Sequence, residues 1–247
     1  MSKLIGLGCP GVPFLVVGGG APSVQQLAAE FLDGAAGAYY DFTAGGSLWQ
    51  DTGGSIAAGV GDPVGRVDDL GGGDNNAVQA DNAARPVRTS SGISTNGTSQ
   101  FLDAVLVGAA SQTYLMDVTF ASSYASLQRL AGHNNGASSY NNVAVTDTGV
   151  LRFGPTDTPA NVAGGRHTVA LIRSGSDWEI AVDGVSVASG SIGGSMSTVL
   201  ATYIAALNTE AFGTISHFEG VFHRFGIVDR AMSVAETADF HAAWSAA

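Results

Sequence analysis

The segment from Trp178 to Asp183 holds two carboxylates, Glu179 and Asp183, and paired carboxylates supply the acid and the base of glycosidic bond cleavage. A retaining enzyme of that kind needs its two carboxyl groups about 5 to 5.5 Å apart. Residues four apart on one strand lie roughly 13 Å apart, at about 3.3 Å per residue. The spacing therefore argues against hydrolysis at this strand, and Asp183, which precedes Gly184, is explained by a turn.

The other reactive side chains form no recognisable catalytic or metal-binding motif. The chain has no G-x-S-x-G elbow and no H-E-x-x-H pair. The segment from Asp68 to Asn75 offers oxygen ligands for calcium, but it lacks the D-x-D-x-D spacing and the closing Glu of an EF-hand, and a solvated turn explains it better. The single cysteine, Cys9, excludes an intrachain disulfide and a thiolate cluster. We therefore predict a non-enzymatic protein with no catalytic residues, no metal and no cofactor.

One polar loop offers groups suited to a sugar. It concentrates amides, hydroxyls and one aromatic ring between two predicted strands, and such groups bond sugar hydroxyls and stack on a pyranose. The alternative is an ordinary polar loop in which Asn-Asn-Gly supplies positive φ. The candidate glycan-binding residues are His133, Asn134, Asn135, Tyr140, Asn141 and Asn142.

The elements around these residues are strands. Alternating runs at His167 to Arg173 and Trp178 to Val182 are joined by residues 174 to 177, and Asp183-Gly184 leads into Val185 to Ala188. Asp-Gly between alternating apolar runs is a strong hairpin signal. Asn96-Gly97 predicts another hairpin turn. Further strands are predicted at Gln100 to Val107, Gln112 to Ala121, Leu127 to Gly132, Asn142 to Thr146, Gly149 to Phe153, Val199 to Ala206 and Gly220 to Val228.

The hairpin, with its H-x-V-A-x-x-R strand followed by a strand ending in V-D-G-V, resembles that of concanavalin A-like, or laminin-G-like, jelly rolls. The closing phrase D-R-A-M-S-x-A-E also resembles the end of laminin-G-like domains. This resemblance implies an all-β jelly-roll sandwich, which commonly presents a face that binds glycan or protein. Ser233 and Glu236 form a capping box that predicts a C-terminal helix carrying Ala238, Phe240 and Trp244.

Residues 1–38 are predicted to form an arm and a short helix, ahead of a sandwich over residues 39–247. Ser23 opens the helix, which spans Val24 to Leu32 and stops at Gly34. The Gly- and Pro-rich arm carries an apolar patch that we expect to serve assembly, although it could fold back on its own sandwich. The patch residues are Val12, Phe14, Leu15, Val16 and Val17.

Residues 39 to 87 resemble a module that recurs in bacteriophage virion proteins. The short motifs that carry this resemblance are Tyr40-Asp41, Leu48-Trp49-Gln50-Asp51, Pro63-Val64-Gly65, Asp68-Asp69, Ala77, Gln79-Ala80 and Ala84-Arg85-Pro86. The resemblance implies a head decoration or tail protein that is made in a host cytoplasm and carried on the virion. Its implied partners are other virion proteins, further copies of itself and a host surface glycan.

Composition narrows the possible partners. The 247 residues carry a formal net charge of -11 at pH 7, which opposes binding to nucleic acid or to anionic membranes. No apolar run reaches the length of a membrane span, and the broken N-terminal run does not resemble a signal peptide. We expect a phage virion structural protein with a lectin-like sandwich. The alternatives are a secreted bacterial adhesin or lectin and a glycoside hydrolase that cleaves polysaccharide.

Overall fold

The computed structural model of the chain is a sandwich of two β-sheets with two helices on one outer face. It describes residues 23–107, 111–134, 140–192, 201–209 and 213–246. In these residues no helix is long and apolar enough to cross a membrane. The predicted all-β, concanavalin A-like sandwich is confirmed.

Sheet A contains eight described strands in the order β15-β14-β13-β8-β19-β6-β5, with β1 also paired to β19. Its strands are β1 (Gly37–Asp41), β5 (Val87–Arg88), β6 (Ile93–Asn96), β8 (Ser111–Phe120), β13 (Arg166–Ser174), β14 (Asp177–Val182), β15 (Val185–Ser191) and β19 (Glu219–Val228). All its pairings are antiparallel.

Sheet B contains eleven described strands, with a main path in the order β12-β11-β10-β9-β16-β7-β4-β3-β2. Its strands are β2 (Leu48–Trp49), β3 (Arg66–Val67), β4 (Ala77–Val78), β7 (Leu102–Val107), β9 (Gln128–Asn134), β10 (Tyr140–Val145), β11 (Val150–Phe153), β12 (Thr156–Asn161), β16 (Ala201–Ile204), β17 (Leu207–Thr209) and β18 (Gly213–Ile215). The pairing of β17 with β9 is parallel, and the others are antiparallel.

The main hydrophobic core fills the space between the sheets. Alternate residues of each strand face it, as a pleated strand requires. Met116, Leu171 and Phe225 enter it from sheet A, and Leu130 and Phe153 enter it from sheet B, all fully or almost fully buried. On the outer face of sheet A, the close packing of Phe31 requires a glycine at position 226. A Cβ atom added to Gly226 would lie 2.6 Å from the Phe31 ring.

The predicted three-stranded hairpin is confirmed with its register. Val169 pairs with Val182, and Ser174 pairs with Asp177 across the two-residue turn Gly175-Ser176. Asp183 and Gly184 both have positive φ, 52° and 75°, as a type I′ turn demands. The two turns are local, so the order of the strands β13, β14 and β15 follows from short-range sequence alone.

Both predicted helices are confirmed, and they cover the outer face of sheet A. Helix α1 spans Val24–Leu32 with a capping box between Ser23 and Gln26, and helix α2 spans Val234–Ser245 with one between Ser233 and Glu236. A second apolar cluster forms where they meet the sheet. It contains Leu27, Ala28, Phe31, Leu32, Tyr39, Leu115, Ala170, Ile172, Ala181, Val228, Met232, Phe240 and Trp244.

Several predicted boundaries change. Strands β9 and β10 extend into the predicted polar loop, and β15 runs to Ser191 rather than to Ala188. Asn96-Gly97 is a turn but not a hairpin, because β6 belongs to sheet A and β7 to sheet B. The Asn96 Oδ1 atom accepts from three following backbone N–H groups and so redirects the chain between the sheets.

Residues 39–87 form part of the sandwich. They supply β1 to sheet A and β2 to β4 to sheet B, and their polar residues fix the loops between these strands. The Asp69 carboxylate accepts from Tyr39 N at 3.0 Å, and Trp49 Nε1 donates to Asp68 Oδ2 at 2.7 Å. The residues that carry the virion resemblance therefore have structural roles, and the virion assignment stays a prediction.

Candidate functional site

Part of the predicted site cannot be placed. The assembly patch of Val12, Phe14, Leu15, Val16 and Val17, the cysteine Cys9 and the glycan candidate Asn135 lie outside the described residues.

The other glycan candidates belong to paired strands at one end of sheet B. Tyr140 pairs with Asn134, Asn141 with His133, and Asn142 with Gly132. Asn142 is buried, with 1% of its surface exposed, and its side chain accepts a hydrogen bond from Arg129 Nη1. The backbone thus brings five of the six candidates together, on strands rather than on the predicted loop.

Asn142 ends a row of residues that crosses seven strands of sheet B. Successive pairings run Trp49, Arg66, Val78, Asp103, Tyr203, Gly132 and Asn142. Directly paired residues share a face. The strand neighbours Leu48, Ala104, Ile204 and Val143 are buried in the core, so the row lies on the opposite, outer face of sheet B.

The centre of this row is aromatic and open on one side. The ring of Tyr203 lies 4.8 Å from that of Phe101, and the His217 imidazole lies 5.9 Å from Phe101. All three residues are half-buried. Gly132, which pairs with Tyr203, is buried and contributes no side chain to this face. The result is a shallow platform made from amphipathic rings.

Unpaired polar atoms flank the platform on both sides. Asp103 Oδ1, Asn142 Nδ2 and Arg129 Nε are buried and make no hydrogen bond in the described part of the chain. Burial raises the pKa of the Asp103 carboxyl. Burial is also the main cause that lowers the pKa of Arg129, to about 10, with the Arg152 charge second. A buried polar group without a partner costs about 1 to 3 kcal/mol, so three of them on one face of the sheet call for an explanation.

A second polar cluster lies on the outer face of sheet A, against helix α2. Arg224 Nε lies 3.1 Å from Asp41 Oδ2, and Arg166 holds Asp117 through two bonds of 2.8 and 2.7 Å. Arg224 also reaches Asp117 at 3.3 Å. A cleft of about 200 Å³ opens beside Arg166 and Trp244. Two arginines and two carboxylates satisfy one another here, which marks a structural network.

The carboxylates considered for chemistry have other partners. Asp183 Oδ2 lies 2.8 Å from His167 Nδ1, Asp183 Oδ1 accepts from Thr168 N, and Glu179 accepts from Ser186. The carboxylate of Asp69 accepts hydrogen bonds from the backbone N–H groups of Gly71, Gly73 and Asn75. Among the described residues, no group of three or more His, Cys, Asp or Glu side chains could hold a metal ion.

The platform was not predicted from the sequence, although one signal pointed to it. In the run Thr202-Tyr203-Ile204, a large aromatic residue alternates with residues that enter the core, and this alternation places Tyr203 on the outer face. The long-range pairing of Tyr203 with Gly132 and Asp103 has no such local signal.

The fold matches solved structures at low identity. No protein-family model and no curated protein sequence matches the chain. The sialidase of Trypanosoma rangeli matches over 86% of this chain and 33% of its own, with a TM-score of 0.60 and 14% identity. Its complex with sialic acid matches over 92% and 34%, with a TM-score of 0.62 and 14% identity. The chain therefore spans about one third of the length of these sialidase chains, and the likeness shows the fold.

This comparison corrects one prediction. The prediction of a non-enzymatic protein is wrong, because solved structures that share the fold include sialidases, which are glycoside hydrolases. The spacing of Glu179 and Asp183 concerned a single strand, and it gave no ground for a statement about the whole chain.

Proposed function

We propose that this chain is a glycan-binding β-sandwich whose binding face is the outer face of sheet B, and that it serves as the carbohydrate-recognition part of a glycan-processing protein. The observation that carries this proposal is the Tyr203 platform between polar atoms of Asp103 and Asn142 that no described residue pairs with. Binding sites combine apolar surface with a few well-placed polar groups.

A sugar ring fits this arrangement physically. One face of a pyranose presents C–H groups that pack on an aromatic ring, and its edge presents hydroxyls that need donors and acceptors. Phe101 and Tyr203 supply the ring surface, and Asp103 and Asn142 supply an acceptor and a donor. The fold shared with one third of a sialidase chain supports a role beside glycan chemistry.

A glycan array tests the proposal. The wild-type chain should bind one class of glycan, and Tyr203→Ala should weaken that binding at least tenfold, because the substitution removes the stacking surface. Tyr140→Ala serves as the comparison for the polar segment predicted from the sequence, and Val185→Ala, on the exposed edge strand β15, serves as the matched surface control. Analysis of the incubated glycans for shortened products shows whether cleavage accompanies binding.

The outcomes separate the alternatives. Loss of binding in Tyr203→Ala with normal binding in Val185→Ala supports the outer face of sheet B. Loss in Tyr140→Ala alone moves the site to the predicted polar segment. No binding by the wild-type chain to any glycan of the array would contradict the proposal.

The virion role is supported only by the sequence resemblance in residues 39–87, and the assembly patch of the arm belongs to the same prediction. A lectin or adhesin shares the proposed glycan-binding face, so the outer face of sheet B favours that alternative over a purely structural role.

A further inference from the structure

We infer that the outer face of sheet B selects a carboxylated sugar and that Arg129 is the residue that recognises its carboxylate. This inference rests on the proposed function and names the chemical class of its ligand.

Arg129 lies beside the platform. Its Nη1 atom donates to Asn142 Oδ1, and Asn142 pairs with Gly132, the neighbour of Tyr203. Nη1 therefore already has a hydrogen-bond partner, whereas Nε makes no hydrogen bond with any described residue. The Nε–H and Nη2–H bonds of a guanidinium point the same way and form the fork that matches the two oxygens of a carboxylate.

The other cation of this part of the face is already paired. On β10, Ala144 pairs with Arg129 of β9 on one side and with Arg152 of β11 on the other. Both arginines therefore lie on the same face of sheet B. Arg152 Nε donates to Asp157 Oδ1 at 2.5 Å, which leaves Arg129 as the cation without a carboxylate partner in this row of the described strands. Arg66, farther along the face, is likewise paired with Asp68 at 2.8 Å.

The positions of the charges also set a direction for the ligand. Asp103 and Asn142 are separated by three strand spacings, or roughly 14 Å, with Tyr203 and Gly132 between them. An oligosaccharide lying across the strands would place its acidic residue at Arg129 and hydroxyls of a following residue at Asp103. The carboxylate at Asp103 repels a second negative charge there, so a single acidic sugar fits better than a polyanion.

The unpaired atoms are screened from water in the unliganded chain, but Asp103 and Arg129 are only half-buried. A ligand can therefore meet the exposed atoms of these side chains first. Rotation of the Asp103 carboxyl about its broad terminal torsion, and a small shift of the Arg129 head, then bring Oδ1 and Nε to the ligand.

Calorimetry with matched probes tests the inference. The probes are a trisaccharide that carries one galacturonic acid residue and 3′-sialyllactose, each compared with its own methyl ester, which keeps the sugar and removes the charge. The acid of at least one pair should bind ten or more times as tightly as its ester. Arg129→Lys keeps the charge but loses the fork, and it should abolish most of that preference while ester binding persists. Arg152→Gln, at the paired neighbour, should change the preference less than twofold.

Equal binding of acid and ester by the wild-type chain would overturn the inference and leave the proposed function standing. Tighter binding of a sulfated heparin disaccharide than of both acids would overturn the carboxylate assignment. Absence of binding to every probe, and to the whole glycan array, would defeat the proposed function itself. The wild-type comparison decides the question even if Arg129→Lys does not fold.

Discussion

At the scale of single residues, the charged side chains on the two outer faces differ in how completely their buried atoms are paired. On the outer face of sheet A, the carboxylates of Asp41 and Asp117 are buried and bonded to Arg224. On the outer face of sheet B, Arg129 and Asp103 each keep one buried atom that makes no hydrogen bond to the part of the chain that the structure describes. Paired buried charge holds a structure together, whereas an unpaired polar group is costly unless another molecule completes it.

The Arg224 network gives a stability prediction. Arg224→Ala should lower the free energy of unfolding by about 3 to 5 kcal/mol, because it leaves two buried carboxylates with less compensation. Arg152→Ala removes an arginine from a part-exposed pair and should cost about 1 kcal/mol or less. Urea unfolding of both variants measures this difference. Equal losses would show that the Arg224 network does not act as a buried unit.

At the scale of elements, short-range signals predicted those parts of the fold that short-range interactions determine. Alternation and Asp183-Gly184 predicted the hairpin of β13, β14 and β15, and Ser233 with Glu236 predicted helix α2. The two-residue strands β2 to β5 carry no periodic pattern and were missed. Those strands exist because distant partners supply their hydrogen bonds, and one sequence does not reveal such partners.

Two glycines of the hairpin provide a matched pair of element-scale variants. Gly175 and Gly184 have φ of 61° and 75°, so alanine strains the backbone at both, by about 1 kcal/mol. An added Cβ at Gly184 would lie 2.6 Å from the Ala238 Cα atom in helix α2, whereas nothing lies within 4 Å of one at Gly175. Gly184→Ala should therefore cost at least about 1 kcal/mol more in overpacking.

Thermal unfolding of the two glycine variants tests this packing of helix α2 on the hairpin. A lower midpoint for Gly184→Ala than for Gly175→Ala is expected. Similar midpoints would mean that helix α2 moves away from the turn without cost.

At the scale of the whole molecule, the two outer faces of the sandwich differ in whether helices cover them. Helices α1 and α2 cover sheet A, and the second apolar cluster seals them to it. The row from Trp49 to Asn142 crosses sheet B with no helix above it among the described residues. The sequence predicted the sandwich and the glycan-binding alternative, and it placed Asn142 among the candidates. It could not predict the platform, because Tyr203, Gly132 and Asp103 meet only through long-range strand pairing.

The measurement that tests the central claim most directly is a map of backbone amide chemical shifts during titration with the trisaccharide that carries one galacturonic acid residue. If another glycan binds more tightly on the array, the titration is repeated with that glycan. We expect the shifts to concentrate at Asp103, Gly132, Asn142 and Tyr203 on the outer face of sheet B. Shifts confined to the cleft beside Arg166 and Trp244 on sheet A, or no shifts at saturating glycan, would contradict it.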